Sequence, residues 1–341
     1  MNGMAFTIGL PEVVAAVMAI ALNAYVLTGG ADFGGGVWDL FASGPRRDRQ
    51  RALIADSIAP IWEANHVWLI VVIVVLFTGF PAAFAMLGTV LHIPLTIMLI
   101  GIVLRGSAFV FRSYGSHRRS RWGTAFAVAS IVTPLLLGII VGAVATGAVA
   151  EAAAEIGAGT FAGVFVGPWA AAFPVSIGLF ALALFAFLAA TYLTVDADED
   201  GLRDDFRARA LLAAVLVFAC ALAALLLARS AAPRLAMGVA GALLIQAATA
   251  LSAITAIVAL WRRRFRVARI AAAAQVSLIL WGWLLAQYPY IVPAALSIRD
   301  AAAPPVTLRL LAVGLAAGAA VLVPSLRYLL RTFKGRVRVA P

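Results

Sequence analysis

Charge is scarce in this 341-residue chain. Only 12% of its residues are Asp, Glu, Lys or Arg, against 64% hydrophobic, and the mean hydropathy is +1.03. A soluble domain of that composition could not cover itself with polar surface, so the surrounding solvent is lipid. Cysteine is nearly absent. The single Cys220 lies in an apolar stretch and reads as core filler, which excludes an internal disulfide and a thiolate metal cluster. Histidine is almost as rare, with His66, His92 and His117. Glu63 and His66 form a Glu-x-x-His pair, but no second pair exists, so a di-iron bundle is excluded. Axial haem ligation by His66 and His92 stays open on ligand type, although a lone interior histidine more often serves as a hydrogen-bonding group. Between Met1 and Pro11 there is no basic residue, and no small-residue cleavage site follows the first apolar run, so that run is expected to persist as a helix.

What the chain has is apolar runs of membrane-spanning length. They cover 13–27, 58–78, 82–104, 125–146, 170–195, 211–227, 235–260, 270–287 and 308–330. The expected fold is an all-α integral membrane protein, about nine transmembrane helices in bundles, forming a single transmembrane domain over residues 1–341. Residues 28–41, rich in glycine and interrupted by Asp32 and Asp39, predict a glycine-punctuated extension or a re-entrant turn after the first helix. The segment 196–209 mixes acids and bases and predicts a solvated loop; its aspartates are too irregular for a calcium loop.

The net charge of +11 raises the question of a nucleic-acid partner, but the basic residues sit between apolar runs rather than on a folded polar surface, so none is expected. Their positions report orientation instead. Arg46, Arg47, Arg49 and Arg51 follow the first run, and a second group from Arg105 to Arg121 follows the third. Further groups lie at 203–209, 262–269 and 327–338, all at connections of the same parity. The remaining four are Arg229, Arg234, Arg299 and Arg309. Basic connections stay in the cytoplasm, so the expected topology is N-terminus out and C-terminus in.

An ionisable group at mid-depth in a membrane helix costs about 2.5 to 3.5 kcal/mol on insertion scales, so those present need a polar partner or pathway. The second run concentrates them: Asp56-Ser-Ile-Ala-Pro60-Ile-Trp62-Glu63-Ala-Asn65-His66-Val-Trp68. On a continuous helix Glu63 and His66, three apart, share a face, as do Asp56 and Glu63, seven apart. A carboxylate in apolar surroundings binds a proton more tightly, as a proton relay requires. The alternative for Glu63, Asn65 and His66 is hydrogen bonding between helices. Asp32 with Gly34, Gly35 and Gly36 lacks the preceding strand and lysine–serine pair of a nucleotide loop, and the glycines fit close helix approach better. Trp62 and Trp68, with most other tryptophans, sit near expected interfaces as anchors.

The order of motifs is more specific than any one of them. Thr28-Gly-Gly-Ala-Asp32-Phe-Gly34-Gly-Gly36 precedes an arginine-rich stretch. After it come Ser57-Ile-Ala-Pro60-Ile-Trp62-Glu63-Ala-Asn65-His66-Val-Trp68, Phe80-Pro81 and Arg105-Gly-Ser-Ala-Phe-Val-Phe-Arg112. This series resembles subunit II of the cytochrome bd-type quinol oxidases, as do Ala190-Thr-Tyr-Leu193, Tyr288-Pro-Tyr-Ile-Val-Pro293 and Val323-Pro324. The resemblance implies a bacterial plasma-membrane enzyme that oxidises a membrane quinol and reduces dioxygen to water. It places haems b and d and the quinol-oxidising site in a partner, subunit I, and leaves this chain without a cofactor or metal of its own. It implies a proton route through the acid after the motif tryptophan, here Glu63, and places a family acid at Asp32; the residue pattern itself adds Asp56 and His66 to the expected route, with Trp62, Asn65 and Trp68 as support. Where some relatives carry another aspartate three residues before Asp32, this chain has Gly29; where glutamate or glutamine is common, it has His66. A structural quinone and small extra subunits occur among relatives, and the sequence does not decide either. Two other readings compete: a secondary transporter with a polar site at broken helices 1 and 2, and a purely structural subunit.

Overall fold

A helix in lipid satisfies its backbone amides internally, so long apolar runs become helices and turns retreat to the membrane edges. The computed structural model describes residues 9–59, 62–114 and 119–334. Its elements are α1 (Leu10–Leu40), α2 (Arg47–Ile58), α3 (Trp62–Gly79), α4 (Pro81–Val90), α5 (His92–Tyr114), α6 (Arg119–Thr146), α7 (Ala148–Ala154), α8 (Phe161–Phe165), α9 (Gly167–Ala170) and α10 (Ala172–Asp196). Then come α11 (Asp200–Ala231), α12 (Pro233–Gly241), α13 (Leu243–Trp261), α14 (Phe265–Gln287), a small hairpin of β1 (Tyr290–Val292) and β2 (Leu296–Ser297), and α15 (Pro305–Lys334). Among the described residues nine helices, α1, α3, α5, α6, α10, α11, α13, α14 and α15, are long and apolar enough to cross a membrane, which agrees with the expected number.

The centre is α10, which packs on α1, α6, α11 and α14. Its Phe185, Phe187, Leu188, Ala189 and Ala190 are buried, and Thr191 and Thr194 return their hydroxyls to carbonyls of the same helix. Against it α1 runs straight through the glycine stretch, which is the glycine-punctuated extension of the two expected readings and not the re-entrant turn. The reason is close approach rather than turn formation. A Cβ at Gly34 would collide with the Phe185 carbonyl oxygen of α10, and one at Gly36 with the Ser130 side chain of α6. Trp38 Nε1, one turn on, donates to the Ala186 carbonyl at 2.7 Å. The penalty of glycine in a helix is offset by backbone contact between helices.

Other boundaries also differ. The second run is interrupted, because α2 ends at Ile58 and α3 begins at Trp62 around Pro60, which lies outside the described residues. Asp56 therefore belongs to α2 and Glu63 to α3. The third run splits into α4, opened by Pro81, and α5. The expected loop at 196–209 is helical from Asp200, where α11 starts.

Connections assigned by charge to one side do meet at one end of the bundle. Arg46, at the N-terminus of α2, pairs with Asp205 of α11 at 2.6 Å; this bond holds the Arg46 guanidinium further above its ordinary range. Arg49 pairs with Glu199 at 2.7 Å, Arg263 with Asp204 at 2.9 Å and Arg269 with Asp196 at 3.4 Å. At the other end Arg299 meets Glu12 of α1 at 2.6 Å, and the Ala303 amide donates to the Gly79 carbonyl at 2.8 Å.

Candidate functional site

Continuity of α1 decides where its polar residues point. Tyr25 and Asp32, seven apart, share a face, and both are buried with Phe33 among α3, α5 and α6. From α3, Asn65 is buried and its amide Nδ2 donates to Asp32 Oδ2. One residue on, the His66 ring lies 6.0 Å from Tyr25, 6.2 Å from Phe33 and 6.4 Å from Trp62, centroid to centroid. Asp32, Asn65 and His66 are therefore gathered in one place, as their spacing allowed.

Sequence reasoning missed a fourth member. Arg105, counted above with the basic connections, is 1% exposed in the interior of α5. Its guanidinium carbon lies 4.7 Å from the Phe33 ring centre and 5.2 Å from that of Phe126. Its Nε donates to Ser130 Oγ of α6 at 3.3 Å, and the charge of Asp32 acts on it. Counting basic residues by proximity to a run's end cannot separate an interior arginine from a loop arginine. The available signal was its place in an uninterrupted apolar stretch, Ile97 to Phe111, where a cation needs a partner. Four buried polar atoms here have no hydrogen-bond partner among the described residues: Tyr25 OH, His66 Nδ1, Arg105 Nη2 and Thr133 Oγ1. Each carries an unused donor or acceptor position that a water molecule could fill.

The other candidates lie outside this cluster. Glu63, on the first turn of α3, is exposed, two residues from inward-facing Asn65, and has no polar partner among the described residues. Asp56 is exposed on α2. Trp62 is half-buried against Phe109, 6.0 Å between ring centres, and Trp68 packs with Tyr25 and Phe33. Between α3 and α5 an open groove of about 440 Å³, mostly apolar, is lined by Trp62, His66, Ile102, Gly106, Ser107 and Phe111.

The two described histidines, His66 and His92, stand in different settings. His66 is wedged among three aromatic rings, whereas His92 opens α5, is exposed and holds its Nδ1 at 2.9 Å from the Thr89 carbonyl oxygen. His117 lies outside the described residues. Among the described residues no three His, Cys, Asp or Glu side chains come together as a metal-ligand set.

The chain is similar to known proteins. The "Cytochrome bd ubiquinol oxidase subunit 2" of Bacillus subtilis (strain 168) is 29% identical over 122 residues, 35% of this chain and 36% of that one. The "Cytochrome bd-I ubiquinol oxidase subunit 2" of Escherichia coli (strain K12) is 30% identical over 122 residues, 35% of this chain and 32% of its own. The matched stretch thus spans about a third of the length of these curated relatives. A chain of the bd oxidase structure from Geobacillus thermodenitrificans has the same fold, with a TM-score of 0.79 at 24% identity over 96% of this chain and 99% of its own. A family model described as cytochrome bd terminal oxidase subunit II matches residues 10–333, and the chain belongs to that family.

Proposed function

We propose that this chain is the haem-free subunit of a quinol:dioxygen oxidoreductase, a single transmembrane domain in the bacterial plasma membrane with its N-terminus outside and its C-terminus in the cytoplasm. It supports a haem-bearing subunit I, which oxidises quinol and reduces dioxygen to water, and it supplies a polar path for the protons consumed. Haems b and d belong to the partner, a placement supported by membership of the subunit II family.

One observation carries the proton path: a polar cluster of buried Asp32, Asn65 and Arg105 with half-buried His66, drawn from α1, α3 and α5. Lipid-embedded helices keep such groups where protons or ions pass. Asp56 and Glu63 complete the path at its edges. Glu63 faces away from this chain's own core on the outer side of α3, where a carboxylate needs water or another subunit to receive it. That position suits handing protons across a subunit boundary. The continuous α1 removes one of the two broken helices on which a transporter reading rested.

The test uses the complex purified with its natural partner, identified by a reduced-minus-oxidised haem spectrum. In Glu63→Gln, assembly and haem content are expected to match wild type while oxygen reduction slows about tenfold or more, the scale of losing one positioned proton-transfer group. Unchanged turnover removes Glu63 from the path.

A further inference from the structure

The cluster holds one cation and one carboxylate deep in the bundle, and their charges constrain one another. Arg105 cannot give up its proton, so its charge must be balanced where it stands. The neighbours on each packed element are Tyr25 and Asp32 from α1, His66 from α3, and Ser130 from α6. Phe33 and Phe126 offer ring faces, which attract a guanidinium but do not neutralise it. Tyr25 and Ser130 offer hydroxyls and His66 an imidazole, none of them a negative charge. Asp32 is the carboxylate in the set, and the Asn65 amide donates to it, an arrangement that favours an accepting oxygen.

Resting on the proton-path reading above, we propose that Asp32 serves that path as a positioning residue: it is the permanent counter-ion of Arg105 and does not itself carry the proton. A proton taken up by Asp32 would leave Arg105 as a bare cation in low dielectric, and breaking a buried pair from one side is far costlier than removing both members. The pair therefore stays charge-balanced while protons pass. Its dipole, fixed by Asn65 on one side and Ser130 on the other, sets the potential at His66 and Tyr25. Those two carry the unpartnered Nδ1 and hydroxyl and stand within ring contact of each other. They are the groups free to exchange hydrogen bonds as a proton moves.

The experiment is a double-mutant cycle in the complete oxidase complex, with Asp32→Asn, Arg105→Gln and the two combined. Yield of assembled complex, its Tm and the pH profile of turnover are read for each. Each single variant is expected to lower assembled complex about fivefold or more, and the double variant to recover to within about twofold of wild type, because neither charge is then left alone. In the recovered double variant turnover should fall about three- to tenfold, with a pH profile displaced by about half a unit or more, as expected when a fixed field is removed. Three results overturn the proposal. If the double variant assembles no better than the singles, the residues are not a counter-ion pair. If it assembles but loses turnover about a hundredfold or more, Asp32 carries the proton. If it assembles with wild-type turnover and an unmoved pH profile, the pair is scaffold alone. The assembly readout is independent of Glu63, so an unchanged Glu63→Gln variant would remove that residue from the path without touching this result.

Discussion

At one end of the bundle Arg46, Arg49 and Arg263 meet Asp205, Glu199 and Asp204 at 2.6, 2.7 and 2.9 Å. Within α1, α3, α5 and α6, Arg105 and Asp32 are 1% and 4% exposed, and several polar atoms around them have no hydrogen-bond partner among the described residues. The same residue types do different things because their solvent differs. At the end, water screens each pair and could replace it, so the pairs latch connections with little net energy. Inside, nothing replaces a lost partner, and each polar group is retained at a cost that only assembly or proton traffic explains. Geometry at the surface is therefore a poor guide to importance, and burial a better one.

The comparison breaks most directly at the seam that buries the inner cluster. Gly34→Val would push a side chain into the Phe185 carbonyl of α10, a backbone atom that cannot turn aside. We expect a destabilisation of about 3 kcal/mol or more, seen as loss of assembled complex and a lower Tm, since overpacking against backbone leaves no rotamer to relax into. Wild-type stability in Gly34→Val would mean that α1 and α10 are not held as closely as the seam requires.

A smaller effect sharpens the same boundary. Trp38→Phe removes the donor to the Ala186 carbonyl and some ring volume, but that carbonyl keeps its second lone pair for the α10 helix. The expected loss is about 1 to 3 kcal/mol, measured as Tm of the complex, with turnover per assembled complex unchanged. A turnover defect without a stability defect would extend the functional region beyond the inner cluster.

How much of this was legible beforehand follows from what each residue's local pattern encodes. Nine spans could be counted because lipid imposes one length and one composition on every crossing. Asp32, Asn65 and His66 stood out as polar residues in apolar or glycine-rich runs. Arg105 did not, because a rule that assigns arginines near run ends to loops has no term for an arginine whose counter-ion comes from a helix over sixty residues earlier. The glycine run left extension and re-entrant turn both open for a related reason: helix propensity is local, whereas the contact of Gly34 with α10 is made by residues some 150 positions away. A seven-residue spacing puts two residues on one face only while they share a helix, and Asp56 and Glu63 belong to separate elements, α2 and α3.

The smallest expected effect belongs to the charged end. Arg49 and Glu199 form a close bond at 2.7 Å, yet their side chains are 66% and 50% exposed. Coulomb attraction across that distance in water is offset by the entropy of holding two long side chains, so Arg49→Ala should cost under about 1 kcal/mol. Whatever cost remains should shrink further between about 0.1 M and 1 M salt, as the screening length falls from about 10 Å to about 3 Å. Tm of the complex at the two salt concentrations measures both. A loss matching that of Gly34→Val, insensitive to salt, would mean this end is sealed from water in the assembled enzyme, and the contrast between latch and core would then be one of position rather than of solvent.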